Sequence, residues 1–200
     1  MDEYKDYLGE YVNAYSHSKS ATARGESLMV GSMARLNLYS HLLSNNAARI
    51  FQSSPFAKGD FNSLWNNLAQ AIEIVESLSR VETLIRAYLL NEKSIRDTDS
   101  LKNTQYGALR AAGAVECPRG TLYHYYEADE RGKVSAADMV TPSAQNTARI
   151  EQDIREVVST ALSATTALSE EQIKAQLETL IRAYDPCNTC ATHMVRIHLQ

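Results

Sequence analysis

The chain has 200 residues, of which 44% are hydrophobic and 22% charged, with a formal net charge of -4; this is enough for one sizeable domain with a real core. No Lys/Arg cluster is dense enough to track a phosphate backbone, so no nucleic-acid partner is expected, and no run of ~18 apolar residues is present to span a membrane. Three cysteines are too few, and odd in number, for a disulfide framework, and Met1-Asp2-Glu3-Tyr4-Lys5 is unlike a basic-then-apolar signal peptide, so a cytoplasmic location is expected.

In chain order, Tyr4, Tyr7, Leu8, Tyr11, Val12 and Tyr15 fall at helical spacing and predict helix within residues 2–19. Gly25 and Gly31 bracket Leu28-Met29-Val30, a candidate strand, and a second helix is predicted over about 34–51, ending before Ser53-Ser54-Pro55. The clearest element is a long helix over about 62–91. Leu64, Leu68, Ile72, Val75, Leu78, Ile85 and Leu89 form one apolar stripe, with Glu73, Glu76, Arg80 and Glu82 mainly off it. Residues 91–120, with Gly107, Gly113, Pro118 and Gly120, are expected to be loop.

A hairpin follows, with strands in 121–127 and 133–140 around the turn Asp129-Glu130-Arg131-Gly132. After Thr141-Pro142-Ser143 a helix carries Ile150, Ile154, Val157, Val158 and Ala161. A last helix has Ser169 as N-cap and Gln172 at the capping-box position, and carries Ile173, Leu177, Leu180 and Ile181 up to Tyr184. The segment Glu82–Tyr88 recurs as Glu178–Tyr184, which marks two similar helix ends and not a repeat architecture. The expected fold is mainly α (α+β), a helical core with a small β-hairpin, in one domain over residues 1–200.

Three segments carry candidate chemistry. Cys187 and Cys190 form a Cys-x-x-Cys pair with His193 three residues on, preceded by Asp185-Pro186. A structural zinc site wants four ligands, and Cys117 is the only other thiol; a thioredoxin-like pair would need a strand-then-helix setting that is absent. Spacing alone favours a metal half-site for a soft or borderline ion over redox chemistry, with an unpaired structural Cys-x-x-Cys beside both. In Cys117-Pro118-Arg119-Gly120 a rigid turn presents a guanidinium suited to anions or to a carboxylate such as Asp185, although an ordinary surface turn has the same composition. Val140–Asn146 is a strand-to-helix junction with the hydroxyl of Ser143 and, by expectation, exposed amides at Gln145 and Asn146, or else a plain helix cap.

These segments, in this order, resemble the C-terminal half of a nickel–iron hydrogenase large (catalytic) subunit, in the wording of the cofactor-coupled cytoplasmic branch. Tyr15-Ser16-x-x-Lys19 and Val30-Gly31-Ser32-Met33-Ala34-Arg35-Leu36-Asn37 agree upstream, and the ending Asp-Pro-Cys-x-x-Cys-x-x-His is the most specific match. The resemblance implies that this chain is part of the hydrogenase large-subunit fold. It implies Cys187 as a terminal nickel thiolate and Cys190 as a bridge from nickel to an iron carrying cyanide and carbon monoxide. Arg119, paired to Asp185, would stabilise hydride or proton charge or help split H2; a guanidinium pKa above ~12 favours an electrostatic role over a base. Ser143 and the Pro118–Arg119 backbone would hydrogen-bond the cyanides. His193 would help hold a magnesium or similar ion, with the Met139 carbonyl as a weaker candidate. Cys117 stands where the family has a small residue, and a buried small hydrophobe is expected there.

The resemblance further implies an iron–sulfur small subunit as electron partner, metallochaperones, and a maturation protease cutting between His193 and Met194 to release residues 194–200. The chain departs from the family in one respect: it has no cysteine before Cys117, whereas the family carries a second pair, in an Arg-x-Cys-Gly-x-Cys setting, together with an acidic proton-relay residue. The chain is then a fragment, one half of a split subunit that needs the missing N-terminal half, or a degenerate relative. The alternatives to catalysis are a non-catalytic metal-binding or hydrogenase-like protein using Cys187, Cys190 and His193, and a Cys-x-x-Cys redox protein.

Overall fold

The computed structural model describes residues 3–12, 19–56, 59–90, 108–164 and 168–187. The tyrosine-rich N-terminus is helical only in α1 (Glu3–Tyr7) and then turns into β1 (Leu8–Val12), which pairs antiparallel with β2 (Lys19–Ala23). Of the helix predicted within 2–19, Glu3–Tyr7 is helical, Leu8–Val12 and Lys19 are strand, and residues 13–18 lie outside the described residues. Tyrosine and valine favour a pleated, half-buried surface, and pairing places Leu8 opposite Ala23 so that Leu8 and Ala21 share a small core with Val140. The stretch Leu28–Val30 joins no strand of either sheet.

The predicted helix over 34–51 is two helices, α2 (Ser32–Tyr39) and α3 (Asn45–Ser53), separated by a 3-10 turn at Ser40–Leu42. Another 3-10 turn, Ser63–Trp65, leads into the long α4 (Asn66–Leu90). Met33 and Leu36 of α2, Ala47 of α3 and Ala69 and Ile72 of α4 bury together with Phe56 as the main core. The α4 stripe is only half used: Ile72 is buried, while Leu78, Ile85 and Leu89 are exposed. Glu76, expected off the stripe, is buried and accepts the backbone N–H of Ser44, the N-cap of α3, at 2.7 Å.

Residues 91–107 lie outside the described residues, but the expected loop beyond them is strand β3 (Leu109–Cys117). Its Ala- and Gly-rich sequence has little intrinsic strand preference; pairing along its whole length with β4 (Gly120–Ala128) fixes it. The predicted hairpin is observed as β4 and β5 (Val134–Val140), so the sheet runs β3-β4-β5, all antiparallel. α5 (Pro142–Ser163) starts with proline in its first turn and with Thr141 as N-cap, its hydroxyl accepting from the Ala144 N–H at 3.2 Å. α6 (Glu170–Ala183) has the expected capping box at Ser169 and Gln172. No helix among the described residues is long and apolar enough to cross a membrane.

The site's position depends on one backbone crossing. The segment Val30–Gly31 passes over the turn Pro118-Arg119-Gly120 so closely that a Cβ on Gly31 would stand 3.0 Å from the Arg119 carbonyl oxygen. At Gly120, with φ 134, a Cβ would collide with the Val30 side chain. The start of α5 fastens both sides. Asn146 Oδ1 accepts the Val30 N–H at 2.8 Å, and Gln145 Nε2 donates to the Thr121 carbonyl at 2.7 Å.

Two outcomes are expected. Gly120→Ala should destabilise the fold by about 2–4 kcal/mol in urea unfolding, with partial recovery when Val30→Ala is added, because the second change removes the collision but not the backbone strain. The neighbours of Glu76, chiefly Arg80 and the Ser44 N–H, outweigh its burial and hold its pKa below the ordinary 4.5. A depressed folded value contributes stability above the unfolded pKa and loses it as pH falls through the folded one. Glu76→Gln should therefore cost about 1–2 kcal/mol near neutral pH. The difference from wild type should shrink in unfolding experiments run progressively below pH 4.5.

Candidate metal centre

The segment that precedes the cysteine pair is shaped by the end of α6. Tyr184 is buried, and its hydroxyl donates to Asp153 Oδ2 on α5 at 2.6 Å. Burial, reinforced by Asp153, raises the phenol far above its ordinary pKa, so it remains a donor. The following residue, Asp185, adopts φ 49, and Pro186 cannot continue a helix. Aspartate tolerates this left-handed conformation better than most side chains, which lets the chain reverse immediately before Cys187.

The Pro-Arg-Gly turn, at the β3–β4 junction, sends Arg119 across to that reversal. Its Nε lies 2.5 Å from the Asp185 carbonyl oxygen and 3.0 Å from Asp185 Oδ2, and Nη2 donates to Oδ1 at 3.1 Å. Gln70 of α4 donates to the same carboxylate at 3.4 Å. One face of α4 also fixes the level of both partners: Asn66 accepts the Met33 N–H at 3.2 Å and donates to the Ala183 carbonyl at 2.8 Å. A cleft of about 490 Å³ beside the turn is walled by Arg35, Gln70, Glu73, Cys117, Pro118 and Asp185. A larger cavity, about 670 Å³, lies between Phe61–Leu64, α5 and α6 and touches none of the sequence-derived candidates.

The structure thus brings Arg119 and Asp185 together and places Cys187, half-buried, two residues beyond. Cys190, His193 and Met194 lie outside the described residues. Among the described residues no three His, Cys, Asp or Glu side chains converge as a metal site. Cys117 is half-buried at the cleft and not a buried hydrophobe, because it ends β3 at the turn. Gln145 and Asn146, expected to be exposed, are buried, since their amides serve the backbone crossing. Ser143 is buried too, and its hydroxyl has no hydrogen-bond partner among the described residues. A buried donor of this kind costs free energy unless it meets an acceptor, so Ser143 fits a site whose occupant brings one. Sequence reasoning missed Asn66, Gln70 and Glu73; polar side chains on the inward side of an otherwise apolar helix were the available signal.

The model of the nickel-dependent hydrogenase family matches residues 2–193. Sulfhydrogenase 1 subunit alpha of Pyrococcus furiosus is 32% identical over 197 residues, covering 98% of this chain and 44% of that one. The NAD-reducing hydrogenase HoxS subunit beta of Cupriavidus necator is 34% identical over 201 residues, covering 96% and 40%. The crystal structure of an NAD+-reducing [NiFe]-hydrogenase in its H2-reduced state superposes with a TM-score of 0.78 at 27% identity, over 96% of this chain and 43% of that one. The chain therefore spans less than half the length of these relatives. With a family match from end to end of the described elements and the same α+β fold, the chain belongs to the nickel-dependent hydrogenases, as large-subunit sequence.

Proposed function

We propose that the chain is the C-terminal part of a nickel–iron hydrogenase large subunit and supplies Cys187 and Cys190 as two thiolates of a nickel–iron centre for reversible H2 oxidation. The observation that carries this reading is the clamp of Arg119 on both the carbonyl and the carboxylate of Asp185, two residues before Cys187. When bound, the centre, with cyanide and carbon monoxide on its iron, supplies the redox chemistry of H2 cleavage. The chain's own residues orient and polarise. The Arg119 guanidinium would set a fixed positive charge near the thiolates and favour negative charge there. Asp185 accepts from that guanidinium through both its carbonyl and its carboxylate. Ser143 donates to a cyanide; of Pro118 and Arg119 only Arg119 has an N–H to offer, since proline has none.

His193, with the Met139 carbonyl as a weaker candidate, holds a magnesium or similar ion, and cleavage between His193 and Met194 by a maturation protease removes residues 194–200. The remaining thiolates come from the portion of the large subunit that precedes this one in the relatives, because this chain has no cysteine before Cys117. That portion also covers the apolar outer face of α4, where Ile74, Leu78, Val81, Leu84 and Leu89 are exposed. Metallochaperones load the centre, and an iron–sulfur small subunit carries electrons away. A cytoplasmic setting follows from the sparse cysteines. The lack of an N-terminal cysteine pair favours one second reading, a hydrogenase-like protein that binds a single metal through Cys187, Cys190 and His193 without catalysis.

Co-expression with a polypeptide carrying the Arg-x-Cys-Gly-x-Cys segment, the small subunit and the maturation proteins tests the proposal. The assembly should contain stoichiometric nickel by elemental analysis and oxidise H2. Cys187→Ser should remove both nickel and activity. Arg119→Lys should keep the nickel and lower H2 oxidation about 100-fold or more, since lysine offers a point charge where the clamp needs a fork. One zinc bound by the chain alone, lost in Cys187→Ser, with no nickel in any assembly, would establish the second reading instead.

A further inference from the structure

Arg35 on α2 makes an unusually complete set of contacts. Its Nε and Nη2 donate to the two oxygens of Glu73 on α4, at 2.7 and 2.6 Å. Its Nη1 donates to Glu116 Oε1 at 2.5 Å and to the Cys117 carbonyl at 2.9 Å. Nη2 also donates to the Pro118 carbonyl at 2.9 Å, and Ser32 Oγ lies 3.2 Å away. A guanidinium has five N–H groups in a rigid fork, and here each has an acceptor. Two of those acceptors are the successive carbonyls immediately before Arg119. Glu73 is itself fixed by the Ser32 hydroxyl, which donates to Oε2 at 2.5 Å.

The Arg119–Asp185 pair is built differently. Its side chains are 34% and 43% exposed, and ion pairs this open are worth ~0–1 kcal/mol, too little to impose a geometry on the long Arg119 side chain. The backbone of the turn sets the starting direction in which Arg119 leaves it. On one side that backbone is blocked by Gly31; on the other its carbonyls are held by Arg35. We infer that Arg35, oriented by Glu73, is a positioning residue for Arg119, gripping the Cys117 and Pro118 carbonyls so that the Arg119 guanidinium reaches Asp185. Lysine cannot replace it, because the three donors of an ammonium cannot serve both Glu73 oxygens, Glu116 and the two carbonyls at once.

The functional meaning rests on the hydrogenase reading of Arg119, but the positioning can be measured without metal or turnover. In the full chain labelled with ¹⁵N, the Arg119 Nε–H signal, assigned by its loss in Arg119→Lys, reports the bond to the Asp185 carbonyl. Arg35→Lys and Arg35→Ala should speed its exchange with solvent about tenfold or more, and Glu73→Gln by less. The Val30 amide, held by Asn146, should stay protected, and Arg80→Ala, on the same helix away from the turn, should change neither. In an assembled enzyme the same variants should lower kcat with KM unchanged. Unaltered Arg119 exchange in folded Arg35 variants overturns the inference. So does equal loosening of Val30 and Arg119, or failure of both Arg35 variants to fold, since each makes Arg35 a general scaffold residue. Faster Arg119 exchange with no H2 oxidation in any assembly leaves the positioning intact and removes the hydrogenase reading.

Discussion

The arrangement around the candidate centre depends on two backbones meeting without side chains between them. A methyl group on Gly31 would stand 3.0 Å from the Arg119 carbonyl oxygen, and Gly120 leaves the space that the Val30 side chain fills. Such an approach gains little by itself and must be held from outside. The holding is done by amides at the start of α5, which bond Val30 on one strand of the crossing and Thr121 on the other. Both amides are buried, so breaking either bond leaves a desolvated polar group, at about 1–3 kcal/mol each. The crossing is thus specified by hydrogen bonds whose loss is costly, and not by apolar packing, which would tolerate a shifted register.

α4 sets the distances on the other side. Asn66, Gln70, Glu73 and Glu76 follow one another at helical spacing, and each serves a different element. Asn66 joins α2 to the end of α6, Gln70 meets Asp185, Glu73 meets Arg35, and Glu76 takes the N–H of Ser44, the N-cap of α3. Interleaved with them, Ala69 and Ile72 enter the main core. A straight helix has a fixed rise of 1.5 Å per residue, so these polar groups act as marks on a ruler. They hold the Pro-Arg-Gly turn and the Asp-Pro-Cys reversal at matching heights, though the two are more than sixty residues apart in sequence.

Local signals made part of this legible beforehand. The capping box at Ser169, Pro142 at the head of α5 and the Asp129–Gly132 turn act over a few residues, and the structure has them as expected. The proximity of Arg119 to Asp185 was suggested by charge and by resemblance, and the geometry supplies the reach. What escaped sequence reasoning was tertiary. β3 is a strand because β4 pairs with it, although its own residues are weak strand formers. Leu8, Tyr11 and Val12 fit a helical period as well as a strand, and pairing with β2 decided for strand, while Tyr4 and Tyr7 stay in α1. Glu73 and Glu76 look like solvent-facing charges until their partners on other elements are known, and Gln145 and Asn146 look like exposed amides for the same reason.

The repeated heptapeptide shows how far environment governs such outcomes. Glu82–Tyr88 in α4 and Glu178–Tyr184 at the end of α6 are identical in sequence and in local bonding: Arg86 pairs with Glu82 as Arg182 does with Glu178, and Thr83 and Thr179 each bond a carbonyl four residues back. Their fates differ. Leu180 and Tyr184 are 4% and 2% exposed, whereas Leu84 and Tyr88 are 67% and 58% exposed. The apolar face on the distal half of α4 is therefore one that this same chain buries when a neighbour is present. Helices gain most of their stability from packing an apolar face, and isolated turns of this composition are marginal in water. In relatives more than twice as long, further chain is at hand to supply that packing. The distal half of α4 thus presents an apolar face of the kind that such further chain would cover.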